Sequence, residues 1–407
     1  MTAGADHLTT AIEALDWVRT QLAAADTSVS DHGLYAGTSG VIVALIEAYR
    51  TTQADSFLAW AEQLAGPIVA SLKSTESDGL YVGLAGIGFV LAELAAETGR
   101  SDLSAAARGV PGLLRRRAIS VGAGVAWNES TDVVSGAAGT GLYLLWAGHR
   151  YGDDDAIRLA TEAAHRLIEL AEPAQGGLSW PMAPDFPRLM PNFSHGTAGV
   201  AYFLARIALV SGDRQFLEPA VEGSHHLLAV ANEAGLVHYH EPDATDLYYL
   251  GWCHGPVGTG RLYHQLALST GDDIWTQQLQ LAGRSLVDLT VPVREQPGFW
   301  NNVGQCCGSA GIAEFLIHLQ GQLGDTSYGV AARALTDDLM ERATTDREGT
   351  RWIHAEHRLR PEEAKAQPGY MHGSAGIIAW LLRLSRLGVT SAKPWVVFPD
   401  CPFPSPG

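Results

Sequence analysis

Seven times along the chain a glycine is followed three residues later by a second glycine, and then by an apolar run. The seven are Gly37-Thr-Ser-Gly40, Gly83-Leu-Ala-Gly86, Gly136-Ala-Ala-Gly139, Gly196-Thr-Ala-Gly199, Gly255-Pro-Val-Gly258, Gly308-Ser-Ala-Gly311 and Gly373-Ser-Ala-Gly376. Successive first glycines are 46, 53, 60, 59, 53 and 65 residues apart. A period of that size holds two helices and their connections, and a repeat defines the architecture before any single element is assigned. The runs that follow the glycines, such as Val41–Tyr49, Phe89–Ala95, Val200–Leu209 and Ile312–Leu319, are apolar on nearly every face, as buried helices are. The stretches between them, such as Ala11–Ala23, Asp155–Leu170 and Ala331–Arg342, are amphipathic and read as helices with one wet face.

Seven inner and seven outer helices predict an all-α fold closed into an α/α toroid, because an open stack would leave two apolar ends exposed. The repeats span about residues 30–385, a Pro-rich tail follows at 394–407, and a single domain over 1–407 is expected. Short extended pieces stand before most motifs: Gly33–Tyr35, Gly79–Tyr81, Gly177–Trp180, Gly235–Tyr239 and Gly298–Trp300. They predict small strands or hairpins. The repeats also account for 14 of the 45 glycines. Two glycines at the start of an inner helix leave a bare stripe that lets a neighbouring backbone approach closely.

Inner helices of such a ring run the same way, so the residues just before each glycine pair converge on one central cavity. Around the ring they are Ala36, Val82, Ser135, His195, His254 (with Cys253 before it), Cys307 (with Cys306 before it) and His372. Three of the four cysteines of the chain fall in this one register. The fourth, Cys401 in the tail, reads as an inert small hydrophobe. Three thiolates suit Zn²⁺ and leave its fourth tetrahedral position open, as catalytic sites do. Helix N-termini beside them lower thiol pKa. His195 has no cysteine beside it and reads as an acid/base group. Asp132, four residues before Gly136, is placed to orient an imidazole, with a solvated loop carboxylate as the alternative. His254 fits a fourth ligand, a support for the ligands or an acid. His372 reads as structural.

Acidic residues number 44 against 27 basic ones, a formal charge of −17. That argues against nucleic acid or an anionic membrane as partner, since a basic face supplies such affinity. No apolar run approaches the roughly 18–20 residues of a membrane span. Met1–His7 has no signal-peptide pattern, and four cysteines make no disulfide scaffold. A cytoplasmic protein with reduced thiols is expected.

Trp252-Cys253-His254-Gly255 in the fifth repeat and Cys306-Cys307-Gly308 in the sixth, set in seven glycine repeats, resemble the lanthionine synthetase C-like family. The resemblance runs from about residue 30 to 385 and implies an α/α toroid with a central zinc. It implies Cys253, Cys306 and Cys307 as zinc ligands. His195 matches the histidine of the family's Ser/Ala-His-Gly motif, and Asp132 matches the aspartate of its Asp-x-x-x-Gly-x-x-Gly motif. The activity implied is that of a lanthipeptide cyclase, which closes thioether rings by adding peptide cysteines to dehydroalanine or dehydrobutyrine. His195, oriented by Asp132, is then the donor to the enolate.

The commonest sixth-repeat pattern in the family is Cys-His-Gly; Cys-Cys-Gly resembles an all-cysteine subgroup among cyclase domains of multifunctional synthetases. Nisin-type members carry an arginine four residues before the fifth-repeat cysteine. Tyr249 stands there in this chain, so the role of that arginine does not carry over. The implied partners are a dehydrated precursor peptide with its leader and separate dehydration enzymes, since the length is expected to leave no room for a kinase, lyase or dehydratase domain; the alternative is that the chain is one domain of a larger synthetase. Two other readings stand beside the cyclase: a relative that adds glutathione to dehydroamino acids, and a zinc-stabilised toroid that holds a precursor peptide without turnover. An α/α glycosidase would need two facing carboxylates, and none of the seven register positions carries one.

Overall fold

A computed structural model describes residues 3–186, 190–239, 247–289, 299–300, 302–354, 364–389 and 392–406, except 25–30. Among the described residues, fourteen α-helices alternate between outer and inner positions. They are α1 (Ala3–Ala24), α2 (Thr38–Thr52), α3 (Asp55–Ser71), α4 (Leu84–Thr98), α5 (Ser101–Arg117), α6 (Ala137–Tyr151) and α7 (Asp154–Glu169). The second half has α8 (Thr197–Ser211), α9 (Arg214–Val230), α10 (Pro256–Thr270), α11 (Asp273–Asp288), α12 (Ser309–Leu323), α13 (Thr326–Glu341) and α14 (Ser374–Arg386). The even-numbered helices follow the glycine pairs and are buried along most of their length. Each packs on the outer helix that follows it, except α14, whose outer partner is α1 from the start of the chain; α14 also lies against α2. The ends of the repeat array therefore meet, and the ring is closed as an α/α toroid.

The first glycine of every pair is the residue on which its inner helix starts. The chain approaching it folds back on the helix start, and the six-residue offset is the same in every repeat. A Cβ on Gly196 would lie 1.5 Å from the Met190 carbonyl oxygen, one on Gly86 2.0 Å from that of Leu80, and one on Gly139 1.9 Å from that of Val133. The close approach comes mainly from the repeat's own loop, where the sequence pattern suggested a neighbouring backbone. Gly86→Ala is expected to destabilise the protein by about 1–3 kcal/mol, the usual cost of overpacking. Gly321→Ala, on the exposed side of α12 with open space around it, is expected to stabilise by up to ~1 kcal/mol. Thermal unfolding of the two variants beside wild type checks both signs.

The same loops join head to tail. Tyr35 N–H donates to Tyr81 O, Tyr81 N–H to Val134 O, and Val133 N–H to Ser194 O. Ser194 N–H donates to Cys253 O, Cys253 N–H to Cys306 O, Cys306 N–H to Met371 O, and Met371 N–H back to Tyr35 O. This belt passes through all seven repeats and gathers the register positions at one end of the ring. It also explains why Gly33–Tyr35 and Gly79–Tyr81 form turns and no strand: their backbone groups are spent one at a time between repeats. Gly235–Tyr239 likewise has no strand. Gly298 lies outside the described residues, and Phe299–Trp300 pairs in parallel with Tyr248–Tyr249. Hairpins do form at 119–126, 172–179 and 344–351, after α5, α7 and α13. Each ends on a tryptophan (Trp127, Trp180, Trp352) whose indole N–H donates to a leucine carbonyl at the end of the preceding outer helix. These carbonyls lie in the last turn of their helices, where intrahelical partners run out, and the indole adds a donor there.

The Pro-rich tail turns back into the ring. Phe398 packs on Tyr81, Phe89 and Tyr370, and Phe403 on His264, Phe315 and His318. Asp400, fully buried, accepts hydrogen bonds from Tyr81 Oη (3.0 Å), Trp252 Nε1 (2.9 Å) and Arg261 (2.7 Å). The space left between tail and ring wall is about 30 Å³, room for a water and no more. The tail thus fills the ring beneath the belt. No helix among the described residues is long and apolar enough to cross a membrane.

Candidate metal centre

The fifth- and sixth-repeat loops bring Cys253, Cys306 and Cys307 together. One sulfur from each lies within 4.8 Å of the other two, and all three residues are buried and unpaired as disulfides. The belt fixes them, because Trp252 and Cys253 both donate their N–H groups to Cys306 O. Helices α10 and α12 begin within three residues of the sulfurs, so the positive ends of two helix dipoles face them. Hydrogen bonds from Cys253 and Cys306 hold the Cys307 thiol well below its usual range, while burial pushes Cys253 and Cys306 up. A dication is what would let all three ionise in so dry a place. This donor set fits a tetrahedral thiophilic ion with one position left for a further ligand.

A second group stands against the same sulfurs. Tyr35 Oη donates to Cys306 Sγ (3.1 Å) and lies 2.7 Å from His372 Nε2. The His372 ring stacks on His354 at 4.5 Å, and His354 Nε2 lies 3.2 Å from Asn302 Nδ2. Burial alone would lower the His372 pKa, but hydrogen bonds to Cys306 and Cys307 outweigh it and push it up to about 10. Burial brings His354 down to about 4. His372, read from sequence as structural, is therefore in contact with the sulfur cluster. His354 and Tyr35 were not singled out as site residues. Tyr35 was visible only as the aromatic of an extended piece, and His354 stands outside the glycine register.

On another side of the cavity, His195 Nδ1 lies 2.6 Å from Asp132 Oδ2. Asp132 is completely buried, and its other oxygen accepts the N–H groups of Ser135 (2.7 Å) and Gly136 (2.8 Å). It is a fixed carboxylate at the start of α6, and not a solvated one. The His195 side chain keeps 30% of its surface exposed, while its partner Asp132 has none. His254 lies between the two groups: its ring is 6.2 Å from that of His195 and edge-on to Tyr239 (4.6 Å) and Tyr249 (5.8 Å), which stack on each other. Tyr249 thus forms part of an aromatic wall beside Cys253.

The family model described as lanthionine synthetase C-like protein matches residues 28–397. A search of curated protein sequences finds no match. Among solved structures, nisin cyclase superposes with a TM-score of 0.63 at 17% identity, covering 92% of each chain. A sugar epimerase from a ruminal bacterium superposes with a TM-score of 0.51 at 12% identity, over 74% of this chain and 86% of that one. At these identities the likenesses show the α/α toroid alone. The family match extends over nearly the whole repeat array and takes in the sulfur cluster, and the chain belongs to the lanthionine synthetase C-like family.

Proposed function

We propose that this protein is a zinc-dependent lanthipeptide cyclase, forming lanthionine or methyllanthionine rings in a dehydrated precursor peptide. The observation that carries the reading is the pairing of two sites in one cavity. A buried three-cysteine cluster stands on one side, and an Asp132–His195 pair with an exposed imidazole edge on another. Cys253, Cys306 and Cys307 would hold the zinc. When bound there, zinc supplies a thiolate at neutral pH from a cysteine that is otherwise mostly protonated. The rest falls to the chain. The peptide sulfur bonds to the β-carbon of the dehydroamino acid, the π electrons pass to the α-carbon as an enolate, and a proton must arrive at that carbon. Asp132 holds the Nδ1–H of His195, which leaves Nε2 to carry and deliver that proton. The addition conserves all atoms, so the product has the mass of the substrate.

The test uses the full chain and a dehydrated, cysteine-containing peptide, with and without prior chelation. Loss of alkylatable thiol at unchanged mass is expected, falling by at least about 10²-fold after chelation and returning with zinc. A mass increase with added glutathione would point instead to intermolecular addition. Bound metal with no thiol loss across several dehydrated peptides would sink the catalytic reading and leave a binding toroid.

A further inference from the structure

We propose that Cys307, His354 and His372 form a second site for a borderline divalent cation, sharing the Cys307 sulfur with the three-cysteine site. The inference rests on the reading of the three cysteines as metal ligands and extends it. One ligand atom from each of these three residues lies within 4.8 Å of the other two, just as in the cysteine trio, and Cys307 is common to both sets.

His354 carries the argument furthest. It is 1% exposed, and its Nδ1 has no hydrogen-bond partner among the described residues. Buried polar nitrogens are seldom left so. An ion between the stacked rings of His354 and His372 and the Cys307 sulfur would give that nitrogen its partner. The other nitrogens are already engaged: His354 Nε2 with Asn302 and His372 Nε2 with Tyr35. Ligating histidines are held in this way, by a polar group on the nitrogen that does not bind the metal. Ligation through His354 Nδ1 puts the ring proton on Nε2, so the Asn302 amide must turn its oxygen toward it and give up the Val303 N–H that this oxygen accepts at 2.9 Å, a loss of about 1 kcal/mol that the bound ion has to offset. Two imidazoles and one thiolate are a donor set for Zn²⁺ or Co²⁺.

Occupancy would alter the neighbouring site. Three thiolates with one dication carry a charge of −1, and with two dications +1, so the shared sulfur donates less to each ion. A substrate thiolate at the cysteine site would then be a weaker nucleophile. The second ion is thus placed to restrain the first.

The experiment is metal content per chain after equilibrium dialysis of the metal-stripped full protein against Zn²⁺, with Co²⁺ spectra to identify the donors. Wild type is expected to hold two ions. His354→Ala should hold one and keep the full thiolate-to-cobalt charge-transfer band. Cys253→Ser should also hold one, with a weaker band shifted toward a nitrogen-rich site. Circular dichroism confirms the fold of each variant, and His372→Asn repeats the measurement should His354→Ala fail to fold. One ion in wild type, unchanged by His354→Ala and with an all-sulfur spectrum, overturns the second site and leaves the proposed function standing. No ion at any concentration overturns both.

Discussion

Replacing His195 by asparagine is expected to slow thioether ring closure by about 10²–10⁴-fold, the usual contribution of a placed general acid. Metal content should not change. The reason lies in the separation of the two groups: His195 belongs to neither set of candidate ligands and is tied to Asp132, whose carboxylate is anchored by the N–H groups at the start of α6. Asparagine is small enough to fit and can still meet Asp132, but it has no titrating atom to give the α-carbon a proton. Asp132→Asn should act in the same direction without removing the imidazole. An amide nitrogen facing Nδ1 favours the tautomer with its proton on Nε2, and it removes the charge that stabilises the imidazolium. The measurement is the rate of thiol loss on a dehydrated peptide, with zinc per chain measured on the same samples. A His195→Asn protein that keeps its rate within about threefold would remove His195 from the mechanism, whatever the fate of the metal.

That His195 and the cysteines were legible from sequence, while other groups were not, has a physical cause. The glycine pair fixes how the chain arrives at each inner helix, since a Cβ at either glycine would strike the loop six residues earlier. Everything between loop and helix is thereby held in one register, so counting back from the glycines finds Cys253, Cys306, Cys307, His195 and His372 at the same end of the ring. Asp132 is legible for a local reason: it caps the N–H groups three and four residues ahead. Tyr35 sits in the register too, but its meeting with Cys306 depends on the ring closing between the first, sixth and seventh repeats, a distance no single repeat contains. His354 lies in a different register, two residues past the tryptophan that ends a hairpin. Counting from Trp127, Trp180 and Trp352 instead of from glycine would have placed it in a column with Glu129 and Met182. The tail was read as a Pro-rich appendage, yet Trp395, Val396 and Phe403 are core. Apolar residues spaced among prolines were the available signal, and the prolines obscured it.

Glu47→Ala is expected to cost about 3–5 kcal/mol of stability, the usual result of leaving buried charges without their counter-ion. Glu47 is fully buried in the middle of α2, and its carboxylate accepts Arg383 Nε (2.8 Å), Arg386 Nη2 and the Val396 N–H (2.8 Å). Arg383 is also held by Glu314 (2.7 Å) and by the Val396 carbonyl (3.0 Å). This one carboxylate therefore joins the first inner helix to the seventh, and both to the start of the tail that plugs the ring. Alanine would leave the Arg386 guanidinium, 5% exposed, with no carboxylate beside it. The closure of the toroid and the seating of the plug should loosen together, seen as a fall in Tm of roughly 3–6 °C and as earlier proteolysis at the tail. Burial by itself would raise the Glu47 pKa, but Arg383, Arg386 and Arg50 outweigh it and hold the carboxyl below its ordinary value. The stability it contributes is therefore complete above the ordinary carboxylate pKa and lost as the pH falls through the folded value. The gap between wild type and Glu47→Ala should accordingly narrow in acid and stay constant from about pH 6 upward. A gap below about 1 kcal/mol at neutral pH would place Glu47 among ordinary surface-like pairs, and the closure of the ring would then rest on the belt hydrogen bonds and on the packing of α14 against α1 and α2.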